Sequence, residues 1–250
     1  VAESIVTRML TLVMPQPTEE MFKIIFKKHR SLWDFPNRVG AIDGKHVRIK
    51  AQKNSGSTFF NYKEFYSVVM LALVDANKFV AVDIGSYGRE GDAEFAIPPP
   101  QSLPGMNILV PHVILGEEAF ALHENLMKPY PTNQSVTDKT KAIYNYRLSR
   151  ARRTTKNAFG ILCPIATHPE TTDKLTTCAC ILHNFLREAN ILRTLTNSRE
   201  NHPLPTENLL PLIQNNVRGA NIAVQMRETF KTYFNGPGAV AWQEQHYREN

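Results

Sequence analysis

Phe35-Pro-Asn-Arg-Val-Gly-Ala-Ile-Asp43-Gly-Lys-His46 is the stretch on which the fold turns, because its apolar residues 39–42 read as a buried strand that leads to one carboxylate, Asp43. Working outward, residues 47–51 alternate partly, 65–74 are almost continuously apolar, and 79–84 follow a turn at 75–78, so three more strands are expected. Residues 52–57 read as a polar turn and 85–91 as a glycine-rich loop. Pro98-Pro-Pro100 excludes regular structure, after which the apolar residues 110–115 predict a strand ending at Gly116. Glu117 then falls just past a strand end, where open α/β sheets place ligand sites.

Helical periodicity flanks these strands. Ile5, Met9, Leu12 and Val13 predict one helix, and Thr18 caps a second with apolar positions Phe22, Ile25, Phe26, His29 and Leu32. In residues 145–162, Leu148, Ala151, Thr155, Phe159 and Leu162 recur at three- and four-residue steps as a core-facing stripe. Arg147, Arg150, Arg152, Arg153 and Lys156 fall within about three turns of that helix and predict a dense basic face. Taken alone, such a run is more often a solvated surface than a DNA contact. Leu175, Cys178, Leu182, Phe185 and Leu186 read as another core-facing stripe, and this outweighs a zinc reading of Cys178, Cys180 and His183, whose spacing forms no standard tetrahedral set. Residues 197–205 read as a polar linker. A last helix places Ile222, Met226, Phe230 and Tyr233 on one face and stops at Asn235-Gly-Pro-Gly238.

Composition sets the bounds. The chain has 250 residues, 42% hydrophobic and 21% charged, enough for one good core, and no run approaches the roughly 20 apolar residues of a membrane span. A net charge of +6 is compatible with a polyanionic partner. Cys163, Cys178 and Cys180 give no disulfide framework and suit a reducing cytosol or nucleus. The chain begins at Val1 rather than Met, as expected of a fragment.

Several separate motifs, matched in order, resemble those of the PIF/Harbinger-type transposases and their domesticated, transposase-derived nuclease relatives. They are the opening stretch, Asn61-Tyr-Lys63 ahead of an apolar strand, Gly116-Glu117-Glu-Ala-Phe120, the Arg-rich residues 145–162, Cys180-Ile-Leu-His-Asn-Phe-Leu186, Phe230-Lys-Thr-Tyr-Phe-Asn235 and Val240-Ala-Trp-Gln243. The resemblance implies an α/β, ribonuclease H-like DDE core with helical extensions. Residues 1–36 form the N-terminal helical segment, 37–190 the nuclease domain with shortened loops near 93–100 and 163–170, and 191–250 a linker and helical tail. In that family two Asp and one Glu hold divalent ions, Mg²⁺ or Mn²⁺, that cut DNA, and the strand before Glu117 lies beside the one carrying Asp43. An N-terminal DNA-binding-type segment is expected to lie outside this chain.

Three positions decide how much of that chemistry is expected to survive. Asp43 matches the first acid. Glu117 stands where the family has Asp, and its extra methylene displaces the carboxylate by more than the roughly 0.5 Å that catalytic groups tolerate. Lys156 stands where the third acid belongs, either pairing with Asp43 or Glu117 in the metal's place or snorkelling to solvent. Asp92 matches a further acidic position, as an auxiliary ligand or a structural cap, and His46 is a partner for a metal carboxylate or simply part of a strand. The functions implied are an active nuclease, a domesticated DNA- or protein-binding protein of the nucleus, and a decayed copy. The resemblance also implies a Myb/SANT-like helper and non-specific DNA-backbone contacts through the basic helix. Catalytic impairment is the expectation.

Overall fold

Strand β1 (Arg38–Arg48) starts where Asn37 turns the chain at φ 56°, a left-handed conformation that asparagine tolerates better than most side chains. Its amide nitrogen donates to the carbonyls of Val110 and Gln101, both at 2.9 Å, which fixes the entry to the strand. The sequence predicts separate strands at 39–42 and 47–51 with Asp43 at a strand end; instead one strand runs through Asp43-Gly-Lys, and Asp43 lies inside it. Gly44 does not interrupt the strand, because a mid-strand glycine costs only about 0.5–1 kcal/mol and the buried Val39, Ala41, Val47 and Ile49 hold the extended chain on either side.

The computed structural model describes residues 1–25, 34–51, 57, 59–75, 78–85, 96–160, 167–195 and 218–248. Asp92, Cys163, Phe26, His29, Leu32 and Leu162 lie outside the described residues, as do most of the predicted turn at 52–57, the loop at 86–91 and the linker at 197–205.

Strands β2 (Ser67–Asp75) and β3 (Lys78–Ile84) pair antiparallel, from Met70 opposite Ile84 to Asp75 opposite Lys78. Strands β4 (Gln101–Ser102) and β5 (Leu109–Val110) form a small antiparallel pair of their own. Strand β6 (Val113–Leu115) runs parallel to β1, with Gly40 opposite Ile114 and Ala41 opposite Leu115, and β7 (Leu126–Met127) runs parallel to β6. The strand order is β3-β2-β1-β6-β7. The sequence reads 110–115 as one strand, but Pro111 divides it, since proline has no N–H for a continuing ladder.

The helices are α1 (Ala2–Val13), α2 (residues 19–25), α3 (Thr132–Ser135), α4 (Lys139–Phe159), α5 (Pro169–Leu195), α6 (Arg218–Phe234) and α7 (Ala241–Arg248). The result is a mixed sheet flanked by helices, consistent with the ribonuclease H-like core that the motifs imply. Thr18 caps α2 as expected, its hydroxyl oxygen accepting from the Met21 N–H at 3.3 Å. Among the described residues, no helix is long and apolar enough to cross a membrane.

The chain divides into two compact units, each assembled from interleaved stretches. The first comprises Val1–Pro17, Asp43–Glu94 and Lys156–Leu210. Its core joins Val47, Ile49, Met70, Val74 and Phe79 to Phe159, Cys180 and Ile181. In α1, Ile5, Met9 and Val13 pack on this core, whereas Leu12 stays 77% exposed. Helix α5 departs more from its predicted stripe: Leu182, Phe185 and Leu186 face outward, and Thr172, Thr176, Ile181 and Asn184 are buried. The reason lies in Asn184, whose amide donates to the Phe79 carbonyl at 2.7 Å and accepts from the Phe79 N–H at 2.9 Å. Those bonds fix which face of α5 meets β3.

The second unit comprises Thr18–Ile42, Phe95–Thr155 and Pro211–Asn250. Its core gathers Phe35, Ala41, Leu115, Met127, Tyr144 and Leu148 with Phe230 and Phe234 of α6. Of the predicted α6 face, Phe230 and Tyr233 are buried and Met226 packs against the core, while Ile222 is 40% exposed. The helix stops where expected. Gly238 donates its N–H to the Tyr233 carbonyl at 2.9 Å, and a Cβ there would lie 2.1 Å from the Tyr233 ring, so only glycine fits.

Candidate functional site

Asp43 is buried in β1, where period-two alternation turns it away from Ile42 and Gly44. The Gly44 N–H donates to its Oδ1 at 2.8 Å, which orients the carboxylate. Two residues on, the Lys45 ammonium donates to the Phe159 carbonyl at 2.7 Å, placing a cation on the negative end of α4. Within the first unit, β1 and the last turn of α4 are thereby tied together.

Glu117 follows β6 by two residues, on a loop that Lys128 holds from beneath by donating to the carbonyls of Glu118 at 2.7 Å and Phe120 at 2.8 Å. Gly116 is closely packed: a Cβ there would meet the Leu126 side chain at 3.0 Å and the Phe120 side chain at 3.1 Å, so those side chains would have to give way by a few tenths of an ångström. The Glu117 carboxylate is not empty-handed. Arg152 of α4 pairs with it at 2.9 Å, with the guanidinium side chain 12% exposed and the carboxylate side chain 46% exposed. Lys156, for which pairing with Asp43 or Glu117 and exposure to solvent are both expected, is exposed on α4, and among the described residues no ion pair of its ammonium is seen.

The basic face needs a larger correction. Arg147 is 2% exposed: it donates to the Gly238 carbonyl at 3.1 Å, to Gln243 Oε1 at 2.8 Å, and to the Asp34 carbonyl. Its guanidinium lies 4.5 Å from the centre of the Phe234 ring and 5.2 Å from that of Trp242. Burial pulls its pKa down to about 10, so it remains charged at neutral pH. Arg150 is half-buried, stacked 4.0 Å from the Trp242 ring centre. Arg153 is exposed, like Lys156. Of the five predicted phosphate contacts, Arg147 is withdrawn into the fold, Arg150 and Arg152 are engaged by Trp242 and Glu117, and Arg153 and Lys156 face solvent.

Trp242 and Gln243 have a structural role that the sequence did not disclose. They belong to the tail motif Val240-Ala-Trp-Gln243, and they hold the one arginine that periodicity misplaced. Gln243 also donates to the Phe234 carbonyl at 2.8 Å, so α6, α7 and α4 share one buried polar network.

His46 follows the strand pattern, half-buried, with Nδ1 2.9 Å from Ser67 Oγ and its ring edge-on to Tyr62. Burial, with Lys63 adding to it, holds its pKa below the ordinary histidine range. Cys178, Cys180 and His183 are buried. His183 packs 5.5 Å from the Phe79 ring, and burial pushes the Cys180 thiol up to about 12, a core role rather than a metal set.

The donor set does not fit the three-acid, divalent-metal site implied by the motifs. One carboxylate is already paired with Arg152, the third position carries a lysine, and among the described residues no group of three or more His, Cys, Asp or Glu could hold an ion. A half-exposed ion pair of this kind contributes only about 0.5 kcal/mol.

A family model described as DDE superfamily endonuclease matches residues 42–184, more than half of the chain. No curated protein and no solved structure matches it.

Proposed function

Because the chain belongs to the DDE superfamily endonucleases, we propose that it is a Harbinger-type, transposase-derived domain that binds DNA and has lost efficient phosphodiester cleavage. The family match supports a transposase-derived nuclease ancestry, and the superfamily ancestrally uses divalent metals. The observation that carries the loss is Lys156, exposed on α4 at the position where the motif requires an acid. Asp43 and Glu117 are the two acids that this reading retains, Asp43 with its carboxylate fixed by the Gly44 N–H and Glu117 neutralised by Arg152. Arg153 and Lys156, exposed on one helix, supply sequence-independent phosphate contacts. A nuclear location and a Myb/SANT-like helper follow from the same resemblance.

The test is cleavage of supercoiled plasmid by the purified chain in Mg²⁺ or Mn²⁺, beside Asp43→Ala. The proposal expects no cleavage above the Asp43→Ala background while plasmid is still retarded on a gel. Cleavage that vanishes in Asp43→Ala would overturn it.

A further inference from the structure

Tyr62 is 80% exposed, yet the turn that presents it is tightly built. The Asn61 N–H donates to the Phe65 carbonyl at 3.0 Å and the Glu64 N–H to the Asn61 carbonyl at 3.0 Å. The Asn61 side chain works both ways, accepting from the Lys63 N–H at 2.8 Å and donating to Ser67 Oγ at 2.7 Å. Glu64 occupies the left-handed region at φ 61°. An aromatic ring left in water on an ordered turn forgoes the burial that usually accounts for an aromatic side chain, and tyrosine is enriched at interfaces.

Its surroundings are basic. Along β1, Val47 and Ile49 point into the core, so the alternating His46 and Arg48 take the opposite face, and Lys50 follows in the same alternation. The Arg48 guanidinium lies 4.7 Å from the Phe65 ring centre, the Lys63 ammonium 5.5 Å from that of Tyr62, and the His46 ring 5.7 Å from Tyr62. Phe60 adds a second exposed ring, 48% open and edge-on to Tyr66. Among the described residues of this turn, Glu64 is the opposing charge.

We infer that this turn, with Tyr62 at its tip and Arg48, Lys50 and Lys63 around it, is a stacking platform for an unpaired base of single-stranded DNA, distinct from the phosphate contacts of α4. Exposed aromatics interleaved with cations are what backbone-tracking, sequence-tolerant single-strand binding uses, since every base has a face to stack and every nucleotide a charge to neutralise. The inference rests on DNA being the ligand, as proposed above, and adds the strand state and the place.

The test is fluorescence anisotropy with a short labelled oligothymidylate and a labelled duplex, without metal and at fixed salt. It compares the full chain with Tyr62→Ala, Tyr62→Phe and Arg153→Ala/Lys156→Ala, with folding checked by thermal melting. Tyr62→Ala is expected to weaken single-strand binding about tenfold and duplex binding less than twofold, with Tyr62→Phe near the parent. The double variant is expected to weaken both. Unchanged single-strand affinity in Tyr62→Ala, or an equal loss on both ligands, would overturn the platform alone. Absence of binding to either DNA by the parent chain would overturn the DNA reading as well, leaving a protein partner for the turn.

Discussion

The two halves of α4 carry the same basic residues to opposite ends. Arg147 is enclosed by carbonyls, an amide and two rings, whereas Arg153 and Lys156, two turns on, point to solvent. The difference is angular. At about 100° per residue, Arg147 and Lys156 lie roughly 180° apart around the helix. The buried Tyr144, Leu148, Ala151 and Thr155 define the core side, with Arg147 and Arg152 at its two edges. A dense run of arginines along a sequence is therefore not a dense face. Edge positions become structural cations, and only the far side can meet a polyanion.

That contrast can be broken most forcefully at Arg147. Arg147→Ala strands the Gly238 and Asp34 carbonyls and the Gln243 amide, and is expected to cost about 3 kcal/mol, read by urea denaturation. Gly238→Ala attacks the same corner from the other side by driving a methyl into the Tyr233 ring. A loss of about 2 kcal/mol should appear as a lowered midpoint with an unchanged slope. Arg152→Ala is intermediate in kind, removing a half-exposed pair worth about 0.5 kcal/mol and freeing Glu117. Smallest in stability is Arg153→Ala/Lys156→Ala, expected within about 0.5 kcal/mol of the parent. On the proposed function its effect is on DNA binding: the slope of log affinity against log salt should fall by about 2, one phosphate contact for each cation. If Arg147→Ala behaved like the exposed pair, or the exposed pair like Arg147, the division of the helix would be wrong.

Much of the fold was legible because burial and secondary structure share a period. The strand through Ala41, the β2–β3 hairpin, the stop at Gly238 and the core stripe of α4 all follow from side-chain alternation and backbone-restricted residues. What the sequence hid was tertiary. On α5 the buried face carries Ile181, Cys180 and Asn184, the last with two hydrogen bonds to the Phe79 backbone, while Leu182, Phe185 and Leu186 lie outside, and no periodicity reports those bonds. Pro111 was readable, since its missing N–H divides residues 109–115, yet the surrounding apolar run masked it. In the candidate site, Asp43 and Glu117 are proposed from the motifs. The partner of Glu117 could not, because Arg152 was one of five similar cations and only the helix angle distinguishes it.

The central claim is that the acid set is broken at the third position, and binding of Mn²⁺ tests it directly. Calorimetric titration of the natural chain and of Glu117→Asp/Lys156→Glu should show no specific binding in the first and a stoichiometric site in the second that Asp43→Ala removes. Specific Mn²⁺ binding by the natural chain, abolished by Asp43→Ala, would contradict the account.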